Sequence, residues 1–290
     1  YIGDRLKNHG NIVWTFGNDY IQYTNESIDS VVRQAAAGIK ETDTGDHLMA
    51  LELYPTPKCS LDAVAWRPYI DVNLAYSYAP TYMQARECYT NGNRPVVQFE
   101  AVYETDGTEE SCRHGYCGNP RVLRSVQHWG ILSGALAGQV YGNDATWAID
   151  HNDVMNLLDS PSQQQLRFLA QLYATRPWYN LVPDFNHTVI TGGYGSCPAG
   201  YEWSYNFTAA TCTTAARSRD GKLVIAYMDR PRTTTVDMSK LSGPVTARWF
   251  KPISGVYTTV AGSPFPNQGL KALTPPTTWT KDWVLVLEAQ

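Results

Sequence analysis

Short apolar runs alternate with amphipathic stretches over residues 1–177, and this alternation restricts the fold more than any other feature of the sequence. Asn11 to Gly17 is an apolar run that ends at glycine, which is typical of a buried parallel strand. Ser27 to Lys40 carries apolar residues at three- and four-residue spacings, which predicts a helix packed by one face. Alternating strands and helices indicate a parallel sheet covered by helices, the α/β class.

The same two patterns continue as far as Pro177, where they stop. Ser160, Pro161 and Gln163 have the residue types and spacing of a capped helix start. The further elements predicted in this region are strands at His47 to Leu53, Tyr69 to Leu74, Arg94 to Glu100 and Gly138 to Tyr141, and helices at Thr81 to Tyr89, Arg121 to Gly134 and Ser160 to Ala174.

Beyond Pro177, alternating apolar and polar runs bounded by glycine and proline replace the helical patterns. We therefore expect a second, all-β domain over residues 178–290, with a sandwich as the predicted architecture. Its predicted strands are Lys222 to Tyr227, Val236 to Met238, Val245 to Phe250, Val256 to Val260 and Trp283 to Glu288.

Charge and hydropathy exclude two classes of partner. With 23 basic against 27 acidic residues, the net charge is -4, so no basic excess is available to neutralise a nucleic-acid backbone. No apolar run approaches the length of a membrane-spanning helix, so we expect no membrane insertion. Aromatic residues make up 12% of the chain, which suits sugar binding because sugar C–H faces stack on aromatic rings.

The cysteines and glycosylation sequons indicate an oxidising compartment. Six cysteines lack zinc-site spacing, and bridges between sequence neighbours close the shortest loops. Because disulfides and sequons belong to secreted proteins, we predict an extracellular, glycosylated protein. The predicted bridges are Cys59 to Cys88, Cys112 to Cys117 and Cys197 to Cys212, and the sequons begin at Asn25, Asn186 and Asn206.

Two carboxyl residues directly follow predicted parallel strands. Asp19 and Glu100 are separated in sequence, but strand-end placement brings such groups into one cleft in barrel enzymes. A pair of carboxyl groups is what glycoside hydrolysis requires. Glu104 competes with Glu100, and we expect it to bind a sugar hydroxyl or to support Glu100. Tyr103 and Trp14 are candidate platform or supporting residues, although plain packing explains Trp14 equally well.

Other catalytic chemistries lack their signatures. The histidines His47, His114, His128 and His151 show no HExxH spacing, and no GxSxG motif occurs. We therefore expect neither a metal nor an organic cofactor.

Several motifs taken together resemble the apiosidase-like glycoside hydrolases. The C-terminal motifs resemble the β-sandwich that follows the barrel in that family and carries a collagen-binding label. The motifs are Asn11 to Asp19, Pro95 to Glu104 and Trp129 to Trp147, followed by Ala216 to Tyr227, Leu241 to Phe250 and Asp282 to Glu288.

The resemblance implies a (β/α)8 TIM barrel, of which residues 1–177 match the C-terminal half from about the fourth strand. It implies that the first three βα units are missing from the sequence. Half a barrel exposes its strand edges and inner face, so we expect the N-terminal half to come from the same, longer polypeptide.

The resemblance also implies that Asp19 and Glu100 are the catalytic pair. We expect a retaining mechanism with Asp19 as general acid/base and Glu100 as nucleophile, acting on a plant or microbial polysaccharide or oligosaccharide. We also expect Tyr54 to contact the substrate. Tyr54 stands where the family usually has a histidine after the fifth barrel strand, and Ala101 stands where many members have a proline, and both departures favour the alternative given next. The alternative is an inactive extracellular carbohydrate-binding or structural protein on the same fold.

Overall fold

The computed structural model describes residues 1–54, 58–104, 118–147, 159–198 and 211–290. Several sequence predictions fall outside these ranges and are not tested by the structure. They are the Cys112 to Cys117 bridge, the sequon at Asn206, and the histidines His114 and His151.

The described chain begins with a parallel strand pair covered by a helix. A short helix α1 (Ile2–Leu6) precedes strand β1 (Val13–Tyr20), and helix α2 (Glu26–Thr42) leads to strand β2 (Leu48–Leu53). The side chain of Asn25 caps α2 by accepting a hydrogen bond from the Ser27 backbone. The apolar face of α2 then packs on both strands, so the predicted strand-helix-strand unit is confirmed.

A second sheet follows, in the order β3-β4-β5-β6. Strands β4, β5 and β6 are parallel, whereas β3 is antiparallel to β4. The elements are β3 (Lys58–Cys59), β4 (Asn73–Tyr76), α3 (Thr81–Thr90), β5 (Val96–Glu100), α4 (Pro120–Leu132), β6 (Gly138–Gln139), α5 (Asp144–Trp147) and α6 (Pro161–Ala174).

One predicted strand begins later than expected. Tyr69 and Ile70 donate their backbone N–H groups to the carbonyl of Trp66, at 2.8 and 3.2 Å, so they belong to a turn. The prediction of a strand from Tyr69 was wrong at this end, because the apolar residues of the turn fill the core beneath α2 rather than a sheet.

Strands β2 and β4 lie side by side although they belong to separate sheets. The Met49 carbonyl accepts the backbone N–H groups of Asp71 and Val72, at 2.8 and 3.2 Å, and an Asp71 carboxylate oxygen accepts the Met49 N–H at 3.0 Å. The carboxyl ends of β1, β2, β4 and β5 therefore meet at one edge, which is where a parallel arrangement collects functional side chains.

The C-terminal region is built almost entirely of antiparallel strands. One sheet has the order β13-β12-β15-β10-β9-β7 and a second has the order β14-β11-β8, with an apolar core between them. Its strands are β7 (Leu181–Pro183), β8 (Ile190–Gly192), β9 (Thr213–Ser218), β10 (Leu223–Met228), β11 (Thr234–Asp237), β12 (Val245–Lys251), β13 (Val256–Thr259), β14 (Leu270–Leu273) and β15 (Trp283–Ala289).

Helix α4 joins the two regions, and all of its residues are buried. A single core cluster contains Trp129 of α4, Leu172 of α6, and Ile225 and Val286 of the six-stranded sheet. At the centre of this contact Arg124 forms a two-point ion pair with Asp282, from Nε to Oδ2 at 2.7 Å and from Nη2 to Oδ1 at 2.8 Å. The two regions consequently share one core.

Two disulfides are present in the described chain, Cys59 to Cys88 and Cys197 to Cys212. They are two of the three bridges expected from the sequence.

The capping box expected at the start of α6 is only partly formed. Ser160 Oγ accepts the Gln163 backbone N–H at 3.4 Å, but Gln163 Oε1 has no partner among the described residues.

The observed fold is thus an α/β region followed by a β-rich region. In the described ranges the parallel strands form short open sheets and not a closed barrel. Within the same ranges, no helix combines the length and the apolar character needed to cross a membrane.

Candidate active site

Three carboxyl groups meet at the shared carboxyl edge of the parallel strands. Asp19 lies at the end of β1, Glu52 near the end of β2, and Glu100 is the last residue of β5. Glu100 and Asp19 both raise the pKa of Glu52, so the two groups predicted from the sequence lie close enough to influence the same buried carboxyl group.

Asp19 is presented by a bulge in β1. The bulge consists of three residues with positive φ angles, which are 117° at Gly17, 70° at Asn18 and 59° at Asp19. Phe16 pairs with Leu51 and Tyr20 pairs with Leu53, so these three residues lie opposite the single residue Glu52 of β2. Glycine, asparagine and aspartate are the residue types that best tolerate positive φ. Asp19 is exposed on this bulge, and such backbone strain is typical of functional sites.

Glu100 is held by two tyrosine hydroxyl groups. Tyr76 at the end of β4 and Tyr78 just beyond it donate to Glu100 Oε1, at 2.8 and 2.7 Å. Burial raises the pKa of both tyrosines above the ordinary value, and the neighbouring Glu100 charge raises it further, so both remain hydrogen-bond donors. Glu100 is therefore a half-buried carboxyl group with a fixed orientation.

Glu52 was not predicted from the sequence. Glu52 is only 4% exposed, and no described residue donates a hydrogen bond to its Oε1 atom. Burial raises the pKa of Glu52 to about 8, and the hydrogen bond and charge of Glu100 and the charge of Asp19 contribute to this shift. The available signal was a glutamate inside an apolar parallel strand, a position at which ionisable residues are rare.

Tyr103 lies beside these carboxyl groups. Burial raises its pKa above the ordinary value, and the charges of Glu100, Glu52 and Asp19 add to the effect. The ring packs directly on Gly142, where an added Cβ would lie 2.2 Å from two ring carbons. The structure thus brings Tyr103 to the cleft, as expected for a candidate substrate contact.

Glu104 is only 3% exposed and is surrounded by donors from the protein. Its carboxylate accepts hydrogen bonds from the hydroxyl groups of Tyr141 and Ser160 and, at 3.2 Å, from the backbone N–H of Ser162. Ser162 lies in the first turn of α6, where the helix dipole also favours a negative charge. Glu104 therefore ties the segment after β5 to the start of α6.

Of the remaining candidate substrate contacts, Tyr54 lies at the edge with the carboxyl groups and Trp14 lies at the opposite end of its strand. Trp14 is near the start of β1, at the opposite end from Asp19, and its indole N–H donates to an Asp43 carboxylate oxygen at 2.7 Å. Its ring packs in the core beneath α2. Tyr54 directly follows β2 and is 38% exposed, so it lies at the same edge as the carboxyl groups.

A cavity of about 260 Å³ opens beside Glu100. The smallest common ligand pockets have a volume of about 300 Å³, so this cavity is large enough for a small chemical group. In the described part of the chain, no set of histidine, cysteine and acidic side chains is placed to hold a metal ion. The cavity walls include Glu100, Tyr103, Gln127, Tyr141 and Asn143.

Sequence comparisons place two families on the chain. Residues 1–180 match the family described as "Apiosidase-like, catalytic domain". Residues 206–288 match the family described as "Putative collagen-binding domain of a collagenase". Among curated proteins, none matches the chain significantly.

Solved structures of glycoside hydrolases share the fold. One described only as a glycoside hydrolase aligns with a TM-score of 0.77 at 20% identity, over 100% of this chain and 67% of its own length. A family 5 glycoside hydrolase from Bacteroides vulgatus aligns with a TM-score of 0.79 at 19% identity, over 99% of this chain and 64% of its own. The chain therefore spans about two thirds of these structures, and at such identities the likeness concerns the fold alone.

Proposed function

Because the chain belongs to the apiosidase-like glycoside hydrolase family, we propose that it is a glycosidase whose catalytic pair is Asp19 and Glu100. The observation that carries this proposal is that Asp19 and Glu100 lie at the carboxyl ends of β1 and β5, on the edge where both also raise the pKa of the buried Glu52. Hydrolysis of a glycosidic bond needs two such groups on either side of the anomeric carbon.

In the proposed mechanism Glu100 is the nucleophile. Its carboxylate attacks the anomeric carbon to form a glycosyl ester, while the bond to the leaving oxygen breaks and that oxygen takes a proton from Asp19. Asp19 then removes a proton from water, which attacks the same carbon and releases Glu100. Two inversions leave the anomeric configuration retained.

The environments of the two residues support this division of roles. Tyr76 and Tyr78 hold Glu100 from one side, and a fixed orientation is what attack on one carbon requires. Asp19 is exposed on its bulge, where it can meet both a leaving group and an incoming water molecule. A bound sugar would cover Asp19 and exclude water from it during the first step.

The tyrosine next to the pair is the proposed sugar contact. Tyr103 offers an aromatic face and a hydroxyl group beside the cavity next to Glu100, which we propose accommodates one sugar unit. Tyr54 is proposed to line the rim of the same cleft. For Glu104 we propose an anchoring role instead of sugar binding, since its oxygens are engaged by Tyr141, Ser160 and Ser162.

The wider setting is part of the proposal. We take the α/β region to be the C-terminal half of a (β/α)8 barrel over residues 1–177, completed by residues of a longer polypeptide, and the region 178–290 to be a β-sandwich. The shared core around α4 suits a bracing role for the sandwich. Two disulfides and exposed sequon residues at Asn25 and Asn186 are compatible with an extracellular, glycosylated protein whose substrate is a plant or microbial glycan.

A glycan panel assayed with the full-length protein tests the function. We expect the full-length protein to hydrolyse at least one glycan. The rate should fall by about 10³-fold or more in Glu100→Gln. It should be unchanged in the control Glu41→Gln, whose side chain is exposed on α2. The anomer formed first, followed by nuclear magnetic resonance, should retain the substrate configuration. Binding of glycans without hydrolysis, or normal turnover in Glu100→Gln, would contradict the proposal.

Asp19→Asn tests the second role separately. This variant should still form the glycosyl ester from a substrate with an activated leaving group, because such a leaving group needs no proton. Added azide should then restore turnover by replacing water, since a small anion attacks without a general base. An Asp19→Asn variant that azide does not accelerate would contradict the acid/base assignment.

A further inference from the structure

We propose that Glu52 and Glu100 share one proton across their carboxyl groups, and that the protonated Glu52 positions Glu100 by donating a hydrogen bond to it. Neither the strand-end pattern nor the catalytic pair assigns Glu52 a role. Its effect on turnover rests on the proposed glycosidase function, whereas the shared proton does not.

The backbone at Glu52 packs tightly against the bulge of β1. Gly17 approaches so closely that an added Cβ would lie 2.1 Å from the Glu52 carbonyl oxygen. The residue is 4% exposed, and the Asn18 backbone of the bulge partly offsets the rise in the pKa of Glu52. Glu52 is therefore a buried carboxyl group next to the bulge of β1.

The groups that face Glu52 are acidic. Asp19 acts on it from β1 and Glu100 from β5, and the titratable groups grouped around Glu100 are the hydroxyls of Tyr76, Tyr78 and Tyr103. Two carboxylates in contact repel each other strongly, and such pairs lower their energy by keeping one proton between them. No protein cation is needed for the pair to be stable in this form.

The surroundings of Glu52 favour a proton on the pair. Glu100 raises the pKa of Glu52 both by its charge and by hydrogen bonding to the protonated form, and two ionised carboxylates have no proton to donate. Glu52 Oε1 also has no donor among the described residues, which is costly for a buried carboxylate oxygen but not for a carboxylic acid that carries its own proton. Glu100 Oε1 already accepts from Tyr76 and Tyr78, so the neutral Glu52 adds a further donor to the same carboxylate.

The acidity of the pair agrees with this geometry. Burial, followed by Glu100 and Asp19, raises the pKa of Glu52 to about 8, so the pair holds its proton at neutral pH and loses it above that range. Because the two groups are coupled, the titration belongs to the pair. Above a pH of about 8 both carboxyl groups are ionised, and the repulsion between them would turn Glu100 away from the hydroxyl groups of Tyr76 and Tyr78.

Infrared difference spectroscopy of the unmodified protein tests the shared proton without any substrate. We expect a protonated-carboxyl C=O band at neutral pH that disappears as the pH rises through about 8. Glu52→Gln should abolish the band and the exposed control Glu41→Gln should keep it. Absence of the band at neutral pH, or its persistence in Glu52→Gln, would overturn the proposal.

A second variant keeps the test decisive even where Glu52→Gln folds poorly. Glu100→Gln leaves Glu52 in place and removes the neighbouring charge, so the band should disappear at a pH about 1 to 3 units lower than in the unmodified protein. An unmoved titration would show that Glu52 is protonated through burial alone, which contradicts a shared proton.

Kinetics separate positioning from a merely structural role. Glutamine retains a neutral donor at the place of the carboxylic acid, so Glu52→Gln should keep turnover within about tenfold while the fall in kcat at alkaline pH moves upward. Glu52→Leu keeps the bulk but not the donor, and should lower kcat more than KM changes. Equal kcat in Gln and Leu variants would exclude positioning. If no glycan is turned over, the function fails and the infrared result still decides the shared proton.

Discussion

Gly17 lies against the carbonyl oxygen of Glu52 so closely that no side chain fits between the two strands at this point. An added Cβ would lie 2.1 Å from that oxygen, and the φ angle of Gly17 is 117°. The contact lies within the bulge that presents Asp19, directly opposite Glu52 in β2. Glycine at position 17 is therefore required for the two strands to approach at the site of two of the three carboxyl groups.

Gly17→Ala should lower both stability and turnover. The positive φ costs about 1–3 kcal/mol for a residue with a Cβ, and the collision with Glu52 adds to it by displacing the bulge. Urea unfolding measures the first effect and kcat the second. Gly10→Ala is the control, because a Cβ at Gly10 meets nothing within 4 Å and should leave both quantities unchanged. A stable, fully active Gly17→Ala would contradict this account.

Gly142→Ala should impair the site with a smaller loss of stability. An added methyl group would lie 2.2 Å from the ring carbons of Tyr103 and push the ring away from Glu100. We expect kcat/KM to fall by about tenfold, or about 1.4 kcal/mol of transition-state stabilisation. Gly38→Ala, at an open position of α2, serves as control and should stabilise the protein slightly. Unchanged kcat/KM in Gly142→Ala would exclude Tyr103 from substrate contact.

Breaking the ion pair between Arg124 and Asp282 should be among the most damaging single changes. Both side chains are buried, and although burial alone would raise the pKa of Asp282, the charge and hydrogen bonds of Arg124 hold it below the ordinary value. Asp282→Ala leaves a buried, uncompensated guanidinium group, which costs about 3–5 kcal/mol of unfolding free energy. Denaturant unfolding checks this value.

The exposed pair of Lys7 and Asp4 provides the comparison for that experiment. Its side chains are 32% and 65% exposed, so Asp4→Ala should change the unfolding free energy by less than about 1 kcal/mol. Similar effects of Asp282→Ala and Asp4→Ala would show that the two regions do not depend on the buried pair.

The protein should lose stability in mild acid because of His128. This imidazole stacks on Tyr227, with ring centroids 4.6 Å apart. Burial lowers the pKa of His128 from 6.5 to about 3; the charge of Asp282 opposes this shift and the charge of Arg124 adds to it. The unfolded chain binds this proton below pH 6.5 and the folded chain does not, so the stability contributed by neutral His128 is complete above pH 6.5 and falls between pH 6.5 and 3. The slope is about 1.4 kcal/mol per pH unit.

His128→Phe isolates that contribution. Phenylalanine keeps a neutral ring against Tyr227 but removes the titrating group. Between pH 6.5 and 3, the unfolding free energy of His128→Phe should therefore fall less steeply with decreasing pH than that of the unmodified protein. The difference in slope should correspond to the uptake of about one proton on unfolding. An identical pH dependence in both proteins would place the acid sensitivity elsewhere.

Local sequence patterns identified many elements because their causes are local. The apolar spacing of α2, the apolar runs of β1, β2 and β5, and the Ser160 cap of α6 all depend on neighbours within one or two turns. The strands β7, β8, β9 and β14 were missed because they are short or lack a clear alternation. They are strands only because the adjacent strands of the C-terminal sheets offer them hydrogen bonds.

The sequence by itself determined which residues end the parallel strands, and therefore that Asp19 and Glu100 lie at one edge. It also contained the Gly-Asn-Asp run that permits the bulge. Only the tertiary structure decided that Glu52 meets Glu100 and that Glu104 binds the start of α6, because these contacts join segments far apart in the chain. Burial and the charges of neighbouring strands set the protonation of Glu52, and neither exists until the strands pack together.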